Sequence, residues 1–433
     1  MSDHRFQPET LVIHAGQIPD AATGARALPI YQTTSFVFDS AEHAASLFNL
    51  ATFGNVYSRL SNPTVAALEE RIAALEGGRA GLASASGMAS EAMALMTLLQ
   101  QGDHIVAASA LYGGSVSMLA VNLKKLGIET SFVDAGSAEA FAAAMRPNTR
   151  AVFAESLGNP SLQLLDIAAV AEVAHAHGVP LIVDNTVPSP FLCNPIRFGA
   201  DIVVHSATKY LAGHGTTLGG VIVESGKFPW DNGKFPGMTE PSIGYHGVKF
   251  FETFGDFGFT MRARMETLRV YGAALSPMSA WQILQGTETL HVRMERHCRN
   301  ALAVAQYLRA DPRVSWVNYP GLPDHPQHAL VARQMRVVDG IPGASGLLAF
   351  GVKGGLAAGV KFIESAQFMS HLANIGDTRT LIIHPASTTH RQLDDAQQLA
   401  AGVLPDMVRM SVGIEHIDDI LWDIDQALSK TGE

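Results

Sequence analysis

From residue 62 onward the chain alternates between two hydrophobic periods. Residues 62–76, "NPTVAALEERIAALE", carry Val65, Leu68, Ile72 and Leu75 at helical spacing, with Asn62 as cap, Pro63 in the first turn and Gly77 as the stop. Short runs that are apolar on both faces come next, each followed by an amphipathic segment. "AGLASAS" precedes a helix from about Ala89 to Gln100, "HIVAAS" precedes "SVSMLAVNLKKLG", "ETSFVD" precedes "AEAFAAAM", and "RAVFAES" precedes "LDIAAVAEVAHAHG". "VPLIVD", "DIVVHS" and "GGVIVE" complete the series. Strands with no polar face, separated by helices, predict an α/β fold with a mostly parallel sheet covered on both sides.

The texture changes at about Gly226. "GKFPWDNGKFPGMTEPSIGYHG" is rich in Gly, Pro and aromatics and predicts a long ordered loop to about Thr260. Loops of that length in compact domains usually serve a function. A helical stretch over roughly 276–310 follows. Then "VSWVNYP", "GLLAFGVKG", "TLIIHPA" and "VRMSVGIE" read as strands interleaved with helices. The expected organisation is a large unit, 61–275, containing the 226–260 insertion, and a smaller α+β unit, 276–433.

Composition narrows the classes of function. With 433 residues and 47% hydrophobic content the chain can build a large core in more than one domain. A net charge of -10 with no basic stripe argues against a nucleic-acid partner. No apolar run approaches the ~18 residues that would span a bilayer. The start, "MSDHRFQPETLVIHAG", lacks a basic segment leading into an apolar one, so no signal peptide is expected. Cys193 and Cys298 form no disulfide framework and read as reduced thiols, which predicts a cytoplasmic protein. The 17 histidines make no zinc pattern, and no metal is expected: His291 and His297, six apart on a helix, do not share a face.

The chemistry concentrates in "DIVVHSATKYLAGHG", residues 201–215. Lys209 follows a run that reads as a buried strand, where an unpartnered ammonium is costly. Gly213, Gly215 and Gly219 give GxGxxxG, one residue too long for a dinucleotide fingerprint and too deep in the chain. His205 and His214 flank the lysine and read as packing residues. Open α/β sheets place ligands outside the carboxyl ends of their strands. "VPLIVDN" ends with Asp184, about one crossover before Lys209, so carboxylate and amine reach one cleft. The pair suits pyridoxal phosphate, whose aldehyde takes a lysine as a Schiff base and whose ring nitrogen is kept protonated by a carboxylate. Ser206 and Thr208 would meet the phosphate. So would backbone N–H groups of Gly87 and Met88 in "SASGMASEAM", where a strand turns into a helix N-terminus.

With these residues in place the chain resembles the cystathionine/methionine-metabolism family of pyridoxal-phosphate enzymes. Its lysine signature reads Asp-aliphatic, three residues, two small residues, Thr-Lys-aromatic-aliphatic, one residue, Gly-His, and "DIVVHSATKYLAGHG" satisfies it throughout. The resemblance covers essentially the whole chain. It implies the type I, aspartate-aminotransferase-like fold, pyridoxal 5'-phosphate on Lys209, and Asp184 at the ring nitrogen. "NVYSRLSNPT" resembles a segment that one subunit lends to its neighbour, with Tyr57 and Arg59 reaching the neighbour's phosphate. This implies an N-terminal arm over 1–60 and a homo-oligomer, commonly a dimer of dimers. Tyr112 in "ALYGGS" resembles the tyrosine stacked on the cofactor ring. Asn159 in "ESLGNP" and Arg409 in "VRMSVGIE" resemble residues that hold the substrate carboxylate, a planar bidentate donor being wanted there. Ser387 in "HPASTTH" resembles a supporting contact.

Other segments choose among the family's reactions. The 226–260 insertion and "SHLANIGDTRTLIIHPASTTH" are similar to the sulfhydrylase branch that acts on O-acetylhomoserine. Cystathionine synthases and lyases usually lack the insertion and carry a glutamate before the strand leucine where this chain has "GDTRTL". Methionine γ-lyases typically have Cys two positions after the stacking tyrosine, where this chain has Gly114. The resemblance implies transfer of the aminocarboxypropyl group of O-acetyl-L-homoserine to sulfide or methanethiol, within methionine biosynthesis. A γ-lyase and an O-succinylhomoserine-using relative are the alternatives.

Overall fold

Seven strands carry the large unit of this computed structural model, which describes residues 5–389, 391, 398 and 402–432. They are β1 (Ala80–Ser84), β2 (His104–Ala108), β3 (Glu129–Val133), β4 (Thr149–Glu155), β5 (Leu181–Asp184), β6 (Ile202–Ser206) and β7 (Gly220–Glu224), in the spatial order β1-β7-β6-β5-β4-β2-β3. β7 runs antiparallel to β1 and β6, and every other pair is parallel. Each residue of β2, and nearly every one of β4, β5 and β6, is buried, so these strands read as continuous apolar runs.

Register places the chemistry. Glu155 at the end of β4 pairs with Asp184 at the end of β5, so the two carboxyls share one face of the sheet. Asp184 pairs with Val204 on β6, which sets Ser206 and the turn to Lys209 just beyond that same edge.

The first predicted helix runs Pro63–Glu76, with the Asn62 side chain accepting from the Thr64 N–H and Gly77 ending it at φ 70°. It is buried on more than its apolar stripe. Fully buried Arg71 donates from Nε to the Ala15 carbonyl at 2.9 Å and from Nη2 to Gln17 at 3.0 Å, docking the N-terminal segment. The next helix, Gly87–Leu98, begins two residues earlier than its apolar pattern predicts, because the Ser86 hydroxyl accepts the Ala89 N–H at 3.1 Å and caps the turn.

The 226–260 segment departs most from its sequence reading. It holds short helices at Pro236–Thr239 and Phe250–Phe254, and its aromatics are core residues. Phe228, Trp230 and Phe235 are buried together, and Trp230 stacks on Phe259 at 5.6 Å and 14°. Lys234 Nζ donates to the His177 carbonyl at 2.6 Å, and Asn232 Nδ2 to that of Gly178 at 3.0 Å, pinning the segment to the edge of the large unit. The stretch over 276–310 is two helices, Pro277–Glu288 and Leu290–Ala310, separated at Thr289.

The C-terminal domain has its own sheet. Its strands are β8 (Val314–Asn318), β11 (Leu347–Val352), β12 (Ser370–His371), β13 (Leu381–Ile383) and β14 (Met407–Ser411), ordered β12-β13-β14-β11-β8, while β9 (Val337–Val338) and β10 (Ile341–Pro342) form a separate two-stranded ladder. The four predicted strands are present. The two-residue strands are too short to leave a period in the sequence.

Candidate active site

Where β4, β5 and β6 end, a cleft opens between the two sheets. Lys209 reaches it from the turn after β6, which is closed by the Lys209 N–H donating to the Ser206 carbonyl at 3.2 Å. Its Nζ donates to Asn374 Oδ1 at 2.5 Å. Burial, with the Arg409 cation close by, holds this amine at about 8, against 10.5 for an ordinary lysine. An amine so placed spends a usable fraction of its time neutral, as a nucleophile and as a base.

Arg409 arrives from β14 of the second sheet. Nη1 donates to Asn159 Oδ1 at 3.1 Å and Nη2 to the Asn374 carbonyl at 3.0 Å. Nε is buried with no partner, and no carboxylate among the described residues pairs with the guanidinium. Burial pushes it down to about 10. A guanidinium taken out of water with a free donor is costly, and a ligand carboxylate is the group that relieves it.

Two carboxylates line the same cleft as the lysine. Asp184 Oδ1 accepts the Thr186 N–H at 2.7 Å, and burial pushes the acid up. Glu155 holds two segments at once: Oε1 accepts the Tyr112 N–H at 2.5 Å and Oε2 the Asn159 N–H at 3.1 Å. Tyr112 itself is 52% exposed, its ring standing free at the cleft wall. A Cβ on Gly114 would lie 2.6 Å from that ring, so the tyrosine's placement depends on glycine at 114.

Gly87 and Met88 open the twelve-residue helix Gly87–Leu98, with Ser206 and Thr208 across from them in the same cleft. A Cβ at position 87 would fall 2.6 Å from Ser206 Cβ and 2.8 Å from its Cα, so only glycine lets the helix N-terminus approach β6 this closely. Thr208 Oγ1 accepts the Gly219 N–H at 3.1 Å and lies 3.2 Å from the Gly219 carbonyl. The glycines after the lysine are thus packing residues: a Cβ on Gly213 would meet the Arg293 guanidinium at 2.3 Å, and one on Gly215 the Asp377 carboxylate at 2.5 Å.

Of the twelve residues that the sequence singles out, Gly87, Met88, Tyr112, Asn159, Asp184, Ser206, Thr208, Lys209 and Arg409 line this one cleft. Three do not. Tyr57 is 42% exposed, with the Arg59 guanidinium 5.6 Å from its ring centroid, both outside the cleft of their own chain. Ser387 Oγ is 2.9 Å from His384 Nδ1, outside the cleft lining. Glu155 and Asn374 also line the cleft, though the sequence does not single them out. Glu155 ends a strand as Asp184 does, and that position was its signal. Asn374 meets Lys209 across 165 residues of chain, and nothing local marks it. His205 Nε2 lies 2.6 Å from buried Glu76.

The residues fit pyridoxal phosphate: an amine with a lowered proton affinity, a carboxylate one strand away, and a narrow cradle of backbone donors and hydroxyls for an anion. A sheet whose strand ends gather these groups defines a type I pyridoxal-phosphate protein, and comparison with known proteins gives the family. The model for Cys/Met metabolism PLP-dependent enzymes matches residues 9–429, and the chain belongs to that family. It is 53% identical to the O-acetyl-L-homoserine sulfhydrylase of Leptospira meyeri, over 98% of this chain and 97% of that protein. It is 50% identical to the homocysteine synthase of Schizosaccharomyces pombe, over 97% of each. A crystal structure described as an O-acetylhomoserine (thiol)-lyase of Campylobacter jejuni, holding a pyridoxyl-lysine monophosphate, superposes with a TM-score of 0.94 at 38% identity, covering 98% of this chain and 100% of that one. No helix among the described residues is long and apolar enough to cross a membrane.

Proposed function

We infer that the chain is a γ-replacement enzyme, transferring the aminocarboxypropyl group of O-acetyl-L-homoserine to sulfide to give L-homocysteine and acetate. Methanethiol is the alternative acceptor and gives methionine. The observation that carries this is the gathering of Lys209, Asp184 and Arg409 in one cleft of a chain half identical to sulfhydrylases. When bound, pyridoxal phosphate supplies an electron sink for the substrate's α-carbon.

The chain's own residues do the rest. Asp184 keeps the proton on the cofactor's ring nitrogen. Gly87 and Met88 N–H groups, with the Ser206 and Thr208 hydroxyls, hold the phosphate. Tyr112 covers the ring. Arg409 and Asn159 grip the α-carboxylate, fixing the amino acid so that Lys209 Nζ removes the α-proton and then moves a β-proton. The bond between the γ-carbon and the ester oxygen breaks, acetate leaves, and the thiol sulfur bonds to the γ-carbon. In the same reading residues 1–60 form an arm that brings Tyr57 and Arg59 to a neighbour's phosphate. Residues 61–275 and 276–433 are then the large and small units of a cytoplasmic homo-oligomer.

The test is product analysis of the holoenzyme with acetyl, succinyl and phospho esters of L-homoserine, with and without sulfide. Homocysteine and acetate that appear only when sulfide is present are expected, fastest with the acetyl ester. α-Ketobutyrate and ammonia as main products would assign a γ-lyase instead.

A further inference from the structure

A third carboxyl faces the cleft, and the chemistry above does not use it. Glu91 sits in the second turn of the helix Gly87–Leu98, 3% exposed, lining the cleft with Asp184 and Glu155. Glu155 accepts a backbone N–H on each oxygen, although burial and the neighbouring Asp184 push its acid up. Asp184 has the Thr186 N–H on Oδ1. Glu91 has neither a cation nor a backbone donor: Oε2 is buried with no hydrogen-bond partner. Its neighbours are Asp184, Glu155 and the buried Ser115 hydroxyl. An ionised carboxyl so placed would be desolvated, unpaired and repelled by two like charges, which is prohibitive. A neutral acid is the form this site tolerates, and a neutral acid has an O–H to donate.

We propose that Glu91 is a positioning residue that stays protonated and donates its O–H to the Asp184 carboxylate. That donor would add to the Thr186 groups and His205, which also favour the Asp184 carboxylate. Burial alone favours its acid form, and an Asp184 that kept the proton could not leave it on the ring nitrogen. A further donor stabilises the carboxylate, so the shared proton rests on the cofactor. Glu155 cannot substitute, because both its oxygens already accept hydrogen bonds. The inference rests on the reading of Asp184 as the ring-nitrogen partner.

Holoenzymes reconstituted with cofactor labelled with nitrogen-15 at the ring nitrogen test it, because the chemical shift reports ring protonation directly. Wild type and Glu91→Gln, whose amide still donates, should both show a protonated ring at neutral pH. Glu91→Leu should shift toward the unprotonated value, and its kcat should fall about tenfold while KM changes little, as loss of a supporting hydrogen bond does at comparable sites. Equal shifts in all three proteins, or a Gln variant as impaired as Leu, would overturn the proposal. Should the Leu variant not fold, infrared difference spectroscopy of wild type against Glu91→Gln decides alone: a protonated-acid carbonyl band lost in the variant supports it, and no such band overturns it. Asp184→Asn separates the two readings. An unchanged ring shift in that variant would remove Asp184 from the ring and this inference with it, whereas a shift there but none in Glu91→Leu would overturn Glu91 alone.

Discussion

Lys209 is set apart from the chain's other lysines by what surrounds its nitrogen. Burial and the Arg409 cation hold it at about 8, and both act by penalising the charged form. The neutral amine is the reactive one, so modification of the apoprotein at Lys209 by an amine-selective acylating reagent should rise with pH and level off just above 8. Surface lysines should still be climbing there, toward ~10.4. Mass-spectrometric mapping reads the profile. Arg409→Met should move the midpoint upward, since the loss of a nearby positive charge eases protonation; an unmoved midpoint would show that Arg409 has no part in the depression. At this scale the sequence was legible wherever chemistry sat next to a strand end. Lys209, Ser206 and Thr208 follow β6 directly, Asp184 closes β5, and Gly87 opens a helix. What it hid were contacts that only folding creates: Asn374 against Lys209, Glu91 against Asp184, and the Glu155 side chain reaching the Tyr112 turn.

Among the elements, the join between β7 and the helical stretch that starts at Gly258 depends on one side chain. Glu224, the last residue of β7, accepts from the Phe259 N–H at 3.3 Å and from the Thr260 N–H and hydroxyl at 2.8 Å each. These N–H groups lie at a helix start and have no partner within the helix. Burial lifts the Glu224 acid to about 7 even so. Glu224→Leu strands all three donors and should cost on the order of 2–4 kcal/mol in urea unfolding, whereas Glu224→Gln, still an acceptor, should cost about 1 kcal/mol. A Leu variant as stable as Gln would show that the donors find other partners. Strand and helix periods announced most elements here, because alternation of apolar runs with amphipathic segments survives in the sequence. Over 226–260 they gave only an ordered loop, which the largely irregular backbone to residue 249 matches, without showing that Phe228, Trp230 and Phe235 pack a core around Phe259. Aromatic residues without a period give no direction, and only the fold supplies it.

At the scale of the whole molecule, one chain's cleft has its lysine, acid and arginine but not Tyr57 or Arg59, which stand outside it. If the arm serves a neighbour, damage on different chains should complement. Lys209→Ala and Arg59→Ala homodimers should each be nearly inactive. Co-refolded in equal amounts, they should recover about a quarter of the wild-type rate, because half the dimers carry one intact site of two. No recovery would place Arg59 in service of its own chain. The C-terminal sheet contributes to the same cleft through Arg409, which is bonded to Asn159 beyond β4 of the other sheet. In the proposed reading, a small molecule gripped at one end by that guanidinium and at the other by the cofactor becomes a tie-rod between two halves of the protein. Compounds lacking either end group fasten to one half only. If Arg409 and the cofactor hold the two ends as proposed, discrimination is a measurement of span, the fixed reach from amine to carboxylate that all α-amino acids share.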